Sequence, residues 1–276
     1  MSGRLHQIEM VEVEVHSYCN RRCSFCPNSF IDRRTAVRYL PESVYLTMLN
    51  DLADAGWDRM ISFCRYNEPF ANEVFFERLA QASELLPGAH LHTNTNGDFL
   101  SEATLGLAYE AGLASIHVQL YAEVFSLGIA RAGVQRLQRL LPGWRFSRVR
   151  EERTRFWWEA MNPKMPGLSM LAYARDFARD GTDRCDLNVR TIPHPPRTRP
   201  CLEPSRRAFI DYTGAVMPCC NLRSDYAPHA DAVLGWMDDS PGCLLRIWTG
   251  DKAREWRKAA AHEGPKSGPC ERCDFG

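Results

Sequence analysis

Three cysteines lie within eight residues near the start of the chain, in the spacing C-x3-C-x2-C: Cys19, Cys23 and Cys26. A [4Fe–4S] cluster has four irons, so three thiolates placed this closely can hold a cluster and leave one iron open. An open coordination position separates a reactive metal centre from a structural one. The motif therefore predicts an enzyme, with a zinc site or buried thiols as the alternatives.

A second set of cysteines lies near the other end of the chain. It consists of Cys201, Cys219, Cys270 and Cys273, of which the last two form a C-x2-C pair. Four thiolates could ligate one [4Fe–4S] cluster completely, and the same spacing permits a four-cysteine zinc ribbon. A completely ligated cluster has no iron free for substrate, so its natural use is electron transfer.

The composition argues against several other classes of protein. The 276 residues carry 34 basic and 34 acidic side chains, and the pI is about 7.1. Nucleic-acid binders and membrane-surface binders show a basic bias, so neither partner is expected. No apolar run reaches the ~18 residues of a transmembrane helix, and the first ten residues do not resemble a signal peptide. Eleven cysteines without a secretion signal indicate reduced thiols and a cytoplasmic location.

Short apolar strands alternate with amphipathic helices over the first two thirds of the chain. The predicted strands cover residues 11–15, 60–64, 90–94, 114–120, 144–149 and 187–192, and the predicted helices cover 41–55, 73–86, 101–111, 127–141 and 169–179. Such alternation is typical of βα units around a parallel sheet. Six strands are too few for an eight-stranded barrel, so we expect an α/β fold with a partial (β/α)6 TIM barrel.

A proline-rich segment at 193–200 predicts a domain boundary. Residues 1–192 are therefore assigned to the partial barrel, and 193–276 to a smaller domain with a β-hairpin at 207–218 and a helix at 244–261. Active sites of parallel barrels lie at the C-terminal ends of the strands. The first cysteine motif, here called the cysteine loop (residues 19–26), directly follows the first predicted strand.

The cysteine loop, with the aromatic Phe25 just before its last cysteine, closely resembles the signature of the radical S-adenosylmethionine (SAM) enzymes. The resemblance implies that Cys19, Cys23 and Cys26 bind a [4Fe–4S] cluster whose open iron holds the amino and carboxylate groups of SAM, with Phe25 beside the cofactor. It also implies the activity. An electron from the cluster cleaves SAM to a 5′-deoxyadenosyl radical, which abstracts a hydrogen atom from the substrate.

The same resemblance extends to the ends of the second, third and fourth strands. It implies SAM or substrate contacts from Asn67, Glu68, Thr95, Asn96, Gln119 and Tyr121. Glu68 lies where the family has a Gly-Gly-Glu-Pro motif that receives the methionine amino group. This sequence departs from the motif, because Tyr66 and Asn67 replace the two glycines.

The second cysteine set resembles the auxiliary-cluster domain called twitch, a reduced form of the SPASM domain. The shared element is a glycine, Gly214, placed five residues before Cys219, together with the final C-x2-C pair. The resemblance implies that Cys201, Cys219, Cys270 and Cys273 ligate one auxiliary [4Fe–4S] cluster. The nearest reaction type by this resemblance is that of the twitch-type aminocyclitol dehydrogenases.

The implied function is oxidation of an alcohol in a small polar metabolite such as a sugar, an aminocyclitol or a nucleoside. Arg150 and Arg190, near the ends of strands five and six, are candidates to position or deprotonate that hydroxyl. One alternative is epimerisation, in which Cys243 or Cys220 returns a hydrogen atom, and another is maturation of a ribosomal peptide. Cys64 is expected in the core. The expected partners are the substrate and a flavodoxin- or ferredoxin-type reductant.

Overall fold

The computed structural model describes residues 2–152, 154–180, 182, 184–185, 187, 195–273 and 275. Its centre is one ten-stranded sheet in the order β10-β9-β8-β1-β2-β3-β4-β7-β6-β5. The strands are β1 (Met10–Val13), β2 (Met60–Ser62), β3 (His90–Thr95), β4 (Ser115–Gln119), β5 (Arg145–Glu151), β6 (Arg155–Met161), β7 (Ser169–Arg175), β8 (Arg207–Ile210), β9 (Ala215–Met217) and β10 (Gly235–Trp236).

Eight α-helices accompany the sheet in the described part of the chain. They are α1 (Glu42–Asp54), α2 (Val74–Leu85), α3 (Glu102–Glu110), α4 (Leu127–Leu140), α5 (Phe177–Asp180), α6 (Glu203–Arg206), α7 (Cys243–Thr249) and α8 (Asp251–Ala261). The first four follow the sequence patterns closely. Helix α3, for example, begins at the predicted serine cap, where Ser101 Oγ accepts from Thr104 N at 3.1 Å.

Six neighbouring strands run parallel, in the order β8-β1-β2-β3-β4-β7. The sheet does not close on itself, so the predicted partial barrel is confirmed. One of the six comes from an unexpected place, because β8 lies after the proline-rich segment and pairs with β1. The predicted domain boundary at 192/193 falls outside the described residues.

Between α4 and the proline-rich segment the predicted strand 144–149 is found as β5, which is antiparallel to β6, but the prediction fails after it. Residues 169–175 were expected to begin a helix, but they form strand β7, which pairs with β4 and with the antiparallel β6. Alanine, leucine and methionine favour helices, yet Met170, Ala172 and Ala174 are buried at alternate positions, which is the period of a strand. The sixth predicted strand, 187–192, lies almost entirely outside the described residues.

The core forms where the outer face of the parallel strands meets the helices. Val11, Ile61 and Ile116 are fully buried there, and Phe75 of α2 packs against Phe63 just after β2. Burying such side chains contributes about 1.5–3 kcal/mol each. The opposite face of the parallel strands carries polar side chains. The C-terminal ends of these strands can therefore contribute polar groups to a site.

The C-terminal segment is joined to the barrel by more than the β1–β8 pairing. The Asp51 carboxylate of α1 accepts from Gly242 N at 2.6 Å and from Leu244 N at 2.8 Å, at the N-terminus of α7. The predicted β8–β9 hairpin turns at Gly214, whose φ of 83° favours glycine. No helix in the described residues is long and apolar enough to cross a membrane.

Candidate active site

A cavity that opens to solvent lies at the C-terminal ends of the parallel strands. The cysteine loop forms one wall, and the segments that follow β2, β3, β4 and β7 form the others. Of the predicted site residues, those that line it are Cys19, Cys23, Phe25, Cys26, Asn67, Glu68, Thr95, Asn96 and Tyr121. The fold therefore gathers into one space residues that are up to about a hundred positions apart in the sequence.

The three cysteines of the loop face the cavity as a group. Burial raises the pKa of Cys19 to about 11 and that of Cys23 to about 12, and Cys26 adds to both shifts through its own charge. Buried thiols of this kind stay protonated unless a cation stabilises their thiolates. Iron supplies such a cation, so the chemistry of this donor set fits a cluster.

The cysteines are not arranged for a single metal ion. Zinc bound by thiolates at about 2.3 Å needs the sulfurs to converge on one point. Nowhere in the described residues do three or more His, Cys, Asp or Glu side chains converge in this way.

Glu68 is held in place by the segment after β3. Its Oε1 accepts from Thr95 Oγ1 at 2.5 Å, and its Oε2 accepts from Asn96 N at 2.6 Å. The side chain is 2 % exposed, and burial raises its pKa to about 7 despite these hydrogen bonds. A carboxylate so placed would gain from a cationic ligand such as an ammonium group.

Two donors beside Glu68 have no hydrogen-bond partner among the residues that the structure describes. Asn67 accepts from Arg65 N through Oδ1 at 3.1 Å, but its buried Nδ2 donates to nothing. Arg65 donates from Nη2 to Leu222 O at 2.8 Å, whereas its buried Nη1 makes no hydrogen bond. Buried unpartnered donors are costly. Since both residues line the cavity, they indicate that a ligand with acceptor oxygens completes it.

Aromatic rings close the side of the cavity next to the cysteine loop. Phe25 stacks on Phe177 with ring centroids 3.8 Å apart, and Tyr121 packs against both. Gln119 does not line the cavity. Its Nε2 donates to Asn94 Oδ1 at 3.4 Å, and its side chain borders a neighbouring groove beside α4.

Glu12 is a functional candidate that the sequence reasoning missed. It lies on β1 and does not line the cavity itself, but Arg65, which does, has its Nε 4.0 Å from the Glu12 carboxylate. Burial raises its pKa to about 8, Cys220 raises it further, and Arg65 and Arg184 oppose the shift. A carboxyl group that titrates near neutral pH is suited to act as a general base. The sequence does contain a signal that could have identified it, because Glu12 is an acidic residue between the apolar residues of the first strand.

Arg184 is the second candidate that was missed. It lines the cavity, and its Nη1 donates to Asn221 Oδ1 at 3.0 Å. The backbone is left-handed at Arg184 (φ 52°) and at Cys185 (φ 56°). Non-glycine residues rarely adopt this conformation, and such strain concentrates at functional sites. The irregular sequence around 184 offered no periodicity that could have singled it out.

Of the three catalytic residues predicted from the sequence, the two that the structure describes do not line the cavity. Arg150 is exposed on β5, where it forms an ion pair with Glu152. Cys243 is buried in the core at the start of α7, and Asp238 N donates to its sulfur at 3.4 Å. Arg190 lies outside the described residues. Among the cysteines outside both predicted ligand sets, Cys64 lines the cavity, contrary to the core position expected for it.

The second cysteine set is only partly assembled. Burial raises the pKa of Cys201, and it raises that of Cys270 to about 11, with further contributions from Cys273 to both. These three thiols therefore lie near one another. Cys219 instead interacts with the thiol of Cys220.

Two family models match the chain. Residues 13–122 match the radical SAM superfamily, and residues 201–274 match the iron–sulfur cluster-binding domain called SPASM. The matches cover the cysteine loop and the second cysteine set respectively. They confirm the predicted cofactors, which are SAM and two [4Fe–4S] clusters.

A curated relative is the S-adenosyl-L-methionine-dependent 2-deoxy-scyllo-inosamine dehydrogenase of Niallia circulans, 34% identical over 113 residues. The match covers 41% of this chain and 45% of the relative, so the chain matches less than half of the relative's length. The crystal structure of BtrN in complex with AdoMet and 2-DOIA has a TM-score of 0.71 and 24% identity, covering 97% of this chain and 93% of that one. An open conformation of BtrN has a TM-score of 0.63 and 23% identity, over 97% and 92%. These likenesses confirm the fold.

Proposed function

We propose that this member of the radical SAM superfamily oxidises an alcohol of a small polyol to a carbonyl. The observation that carries the proposal is the position of Arg184, a guanidinium donor that lines the same cavity as the cysteine loop, together with Glu12, a carboxyl group 4.0 Å from the cavity-lining Arg65. An alcohol oxidation needs a group that takes the hydroxyl proton and a group that holds the oxygen. The relative's printed activity, dehydrogenation of an inosamine, supports the same reaction class.

We assign the first cluster to Cys19, Cys23 and Cys26, and the second to Cys201, Cys219, Cys270 and Cys273. When bound, the cofactors supply a radical that removes a hydrogen atom from the carbinol carbon and a second cluster that accepts the remaining electron. Glu68 and Asn67 are placed to bind the amino and carboxylate groups of SAM, as their charge and unpartnered donor indicate.

Glu12 takes the proton in this scheme. Loss of a hydrogen atom from carbon, a proton from oxygen and one electron converts the alcohol to a carbonyl. Its raised pKa lets the carboxylate accept a proton near neutral pH and release it to solvent after turnover. The carboxyl group needs no rearrangement to do this, because β1 and the neighbouring Arg65 fix its position.

Arg184 holds the substrate oxygen. A guanidinium group donates several hydrogen bonds in a fixed plane and does not lose its charge. The bond to Asn221 fixes that plane, and the Tyr66 ring lies 5.9 Å from the guanidinium carbon. Arg184 thus occupies the role that the sequence reasoning gave to Arg150 or Arg190.

Epimerisation remains a second candidate because of Cys64. Its thiol lines the cavity, and burial raises its pKa far above the ordinary value, so it keeps its hydrogen. A protonated thiol beside a carbon radical can return a hydrogen atom to the opposite face. Oxidation gives a carbonyl product, whereas epimerisation gives an isomer that gains one deuterium in deuterated water.

The test is anaerobic reconstitution followed by turnover with a one-electron reductant, for which we propose a flavodoxin- or ferredoxin-type protein. The wild-type protein should bind about eight irons and form 5′-deoxyadenosine. Cys23→Ala should lose SAM cleavage and keep about four irons, whereas Cys273→Ala should cleave SAM but form little carbonyl product. Zinc in place of iron, or an isomeric product from the wild type, would contradict the proposal.

A further inference from the structure

The walls of the cavity carry a strong excess of positive charge. Among the described residues that line it are four arginines, Arg21, Arg65, Arg175 and Arg184, and one carboxylate, Glu68. The whole chain has a formal net charge of zero. The excess is therefore a local feature of the cavity, and local charge of one sign selects ligands of the other.

One of the four arginines is neutralised within the protein. Arg21 donates from Nε to Asp98 Oδ2 at 2.7 Å and from Nη2 to Asp98 Oδ1 at 2.6 Å. This is the bidentate pairing that a guanidinium and a carboxylate form when both are satisfied. Arg21 therefore has a counter-ion within the protein and does not need an anionic ligand.

Arg65 has no such pairing. Its side chain is 1 % exposed, and its closest carboxylate, Glu12, is 4.0 Å from Nε, beyond hydrogen-bond distance. Its Nη1 donates to nothing in the described structure. Burial opposes the charge of Arg65, and the carboxylates of Glu12, Asp211 and Glu14 raise its pKa, so what Arg65 lacks in the described residues is a hydrogen-bond acceptor for Nη1.

Arg175, at the end of β7, likewise has no carboxylate paired with it among the described residues. Its Nη1 reaches the Asp180 backbone oxygen at 3.5 Å, and its buried Nε has no hydrogen-bond partner in the described part of the chain. The Asp180 carboxylate is bound by Arg155 at 3.0 Å instead. Burial lowers the pKa of Arg175, and the neighbouring positive charge of Arg184 lowers it further. Two arginines that repel each other indicate a missing anion.

The cofactors do not supply the missing charge. A cluster held by three thiolates and a bound SAM carry opposite formal charges, so the pair roughly cancels. The SAM carboxylate is assigned to the unpartnered Asn67 Nδ2, which leaves Arg65, Arg175 and Arg184 facing the substrate.

We propose that the substrate is an anionic polyol, meaning a sugar or cyclitol that bears a phosphate or carboxylate group, held by Arg65, Arg175 and Arg184. This rests on the proposed alcohol oxidation for the reaction, and it adds the class of substrate. The curated relative is named for an inosamine, which carries an amine. The two proteins would then share a reaction and differ in the charge of what they oxidise.

The test measures binding without turnover, by calorimetry on the reconstituted protein saturated with SAM and left unreduced. The ligands are glucose, glucose 6-phosphate, glucuronate and glucosamine, with inorganic phosphate as the minimal probe. We expect the phosphate and carboxylate forms to bind about 10- to 150-fold tighter than glucose, which corresponds to one charged hydrogen-bonding group. Glucosamine should bind more weakly than glucose.

Two variants and a control locate the effect. Arg175→Gln and Arg65→Gln should each reduce the preference for the anionic ligands by about tenfold or more and leave SAM affinity within about threefold. Arg139→Gln, on the exposed face of α4, should change neither. Tightest binding of glucosamine, equal or absent binding of all five ligands, or variants that weaken SAM alone would each overturn the proposal. Tight binding of an anionic ligand that is never oxidised would instead contradict the proposed reaction.

Discussion

Arg223 donates from Nη1 to Asn28 Oδ1 at 3.1 Å, across 195 positions of sequence. Asn28 lies two residues after Cys26 of the cysteine loop, and Arg223 lies three residues after Cys220. Asn28 also donates from Nδ2 to Tyr66 O at 2.8 Å, next to Asn67 and Glu68. One buried hydrogen bond therefore joins the two segments that carry the proposed cluster ligands.

Arg223 is part of a buried chain of alternating charges. It donates from Nε and Nη2 to the Asp225 carboxylate at 2.7 and 2.8 Å, and Arg33 binds the same carboxylate at 2.9 Å. Arg33 in turn binds Glu14, the residue just after β1, at 2.9 Å. Networks of this kind are stable only when every member has its partner. The chain therefore fixes the relative position of β1, the cysteine loop and the C-terminal segment.

Replacing Arg223 should destabilise the protein strongly. Arg223→Met keeps much of the apolar stem but leaves Asp225 with one partner fewer and Asn28 with an unmatched acceptor. Breaking a buried charge pair from one side costs about 3–5 kcal/mol. We expect a loss of that size in the free energy of unfolding, measured by urea denaturation of the protein without clusters.

Arg254→Met is the matched control, because Arg254 forms its ion pair with Asp251 on the exposed surface of α8. Exposed pairs contribute about 0–1 kcal/mol, so this variant should be close to the wild type. Equal losses in both variants would mean that the buried chain of charges does not hold the segments together.

Adjacent Cys219 and Cys220 should differ sharply in their effect on the second cluster. Cys219 has the spacing from Gly214 that the family shows, whereas the backbone oxygen of Cys220 accepts from Tyr66 Oη at 2.9 Å. We expect Cys219→Ala to lower the iron content from about eight to about four, and Cys220→Ala to keep about eight. The measurement is iron analysis with electron paramagnetic resonance of the reduced clusters. The reverse result would assign the ligand to Cys220.

Much of the site could be predicted from the sequence because its residues follow strand ends. Glu68, Thr95 and Asn96 each come directly after a readable strand, and parallel strands bring such positions to one edge. Cys64 was misplaced for a related reason. Its apolar neighbours suggested the core, but the alternation of β2 turns it towards the cavity.

The parts that could not be predicted depend on long-range pairing. Strand β8 completes the parallel sheet beside β1, and no local pattern reveals a partner about 200 residues away. Residues 169–175 carry helix-forming side chains, yet pairing with β4 and β6 made them a strand, as tertiary context commonly does. Arg184 lies in an irregular segment, so only the folded chain shows that it reaches the cavity.

Glu12 should give the reaction a distinct pH dependence. As a base it must be ionised, and its pKa is raised to about 8 by burial. We expect kcat/KM for alcohol oxidation to rise with pH up to about 8 and then level off, and Glu12→Gln to lose most of the activity together with that rise. Glu9→Gln, an exposed acid just before β1, should keep the wild-type profile.

The ionisation of Glu12 should also change the free energy of unfolding of the protein without its cofactors. The pKa of Glu12 is about 8 in the folded protein against an ordinary value of 4.5, so the unfolded chain releases its proton first. Stability from this group is fully present below about pH 4.5 and is lost as pH rises towards 8. Urea titrations of the apoprotein should show that Glu12→Gln flattens this loss. An unchanged slope would mean that Glu12 titrates normally and is no general base.

Glu68 should control the affinity for SAM. Its carboxylate is already held by Thr95 and by Asn96 N, so an incoming ammonium group would meet a fixed acceptor. Glu68→Gln removes the negative charge. The new side-chain amide presents to Asn96 N either its NH2 donor or its carbonyl oxygen, which accepts more weakly than a carboxylate. Since a hydrogen bond to a charged group contributes about 1.5–3 kcal/mol, we expect SAM to bind about 10- to 150-fold more weakly.

The pH dependence of SAM affinity distinguishes a direct role of the Glu68 charge from a structural disturbance caused by the substitution. Burial raises the pKa of Glu68 to about 7, so protonation below that pH should weaken SAM binding in the wild type. The dissociation constant should therefore fall as pH rises from 6 to about 7.5, and it should stay flat in Glu68→Gln. Glu73→Gln, an exposed acid before α2, should behave as the wild type. Calorimetry on the reconstituted protein measures all three, and a pH-independent wild type would show that Glu68 does not bind the amino group.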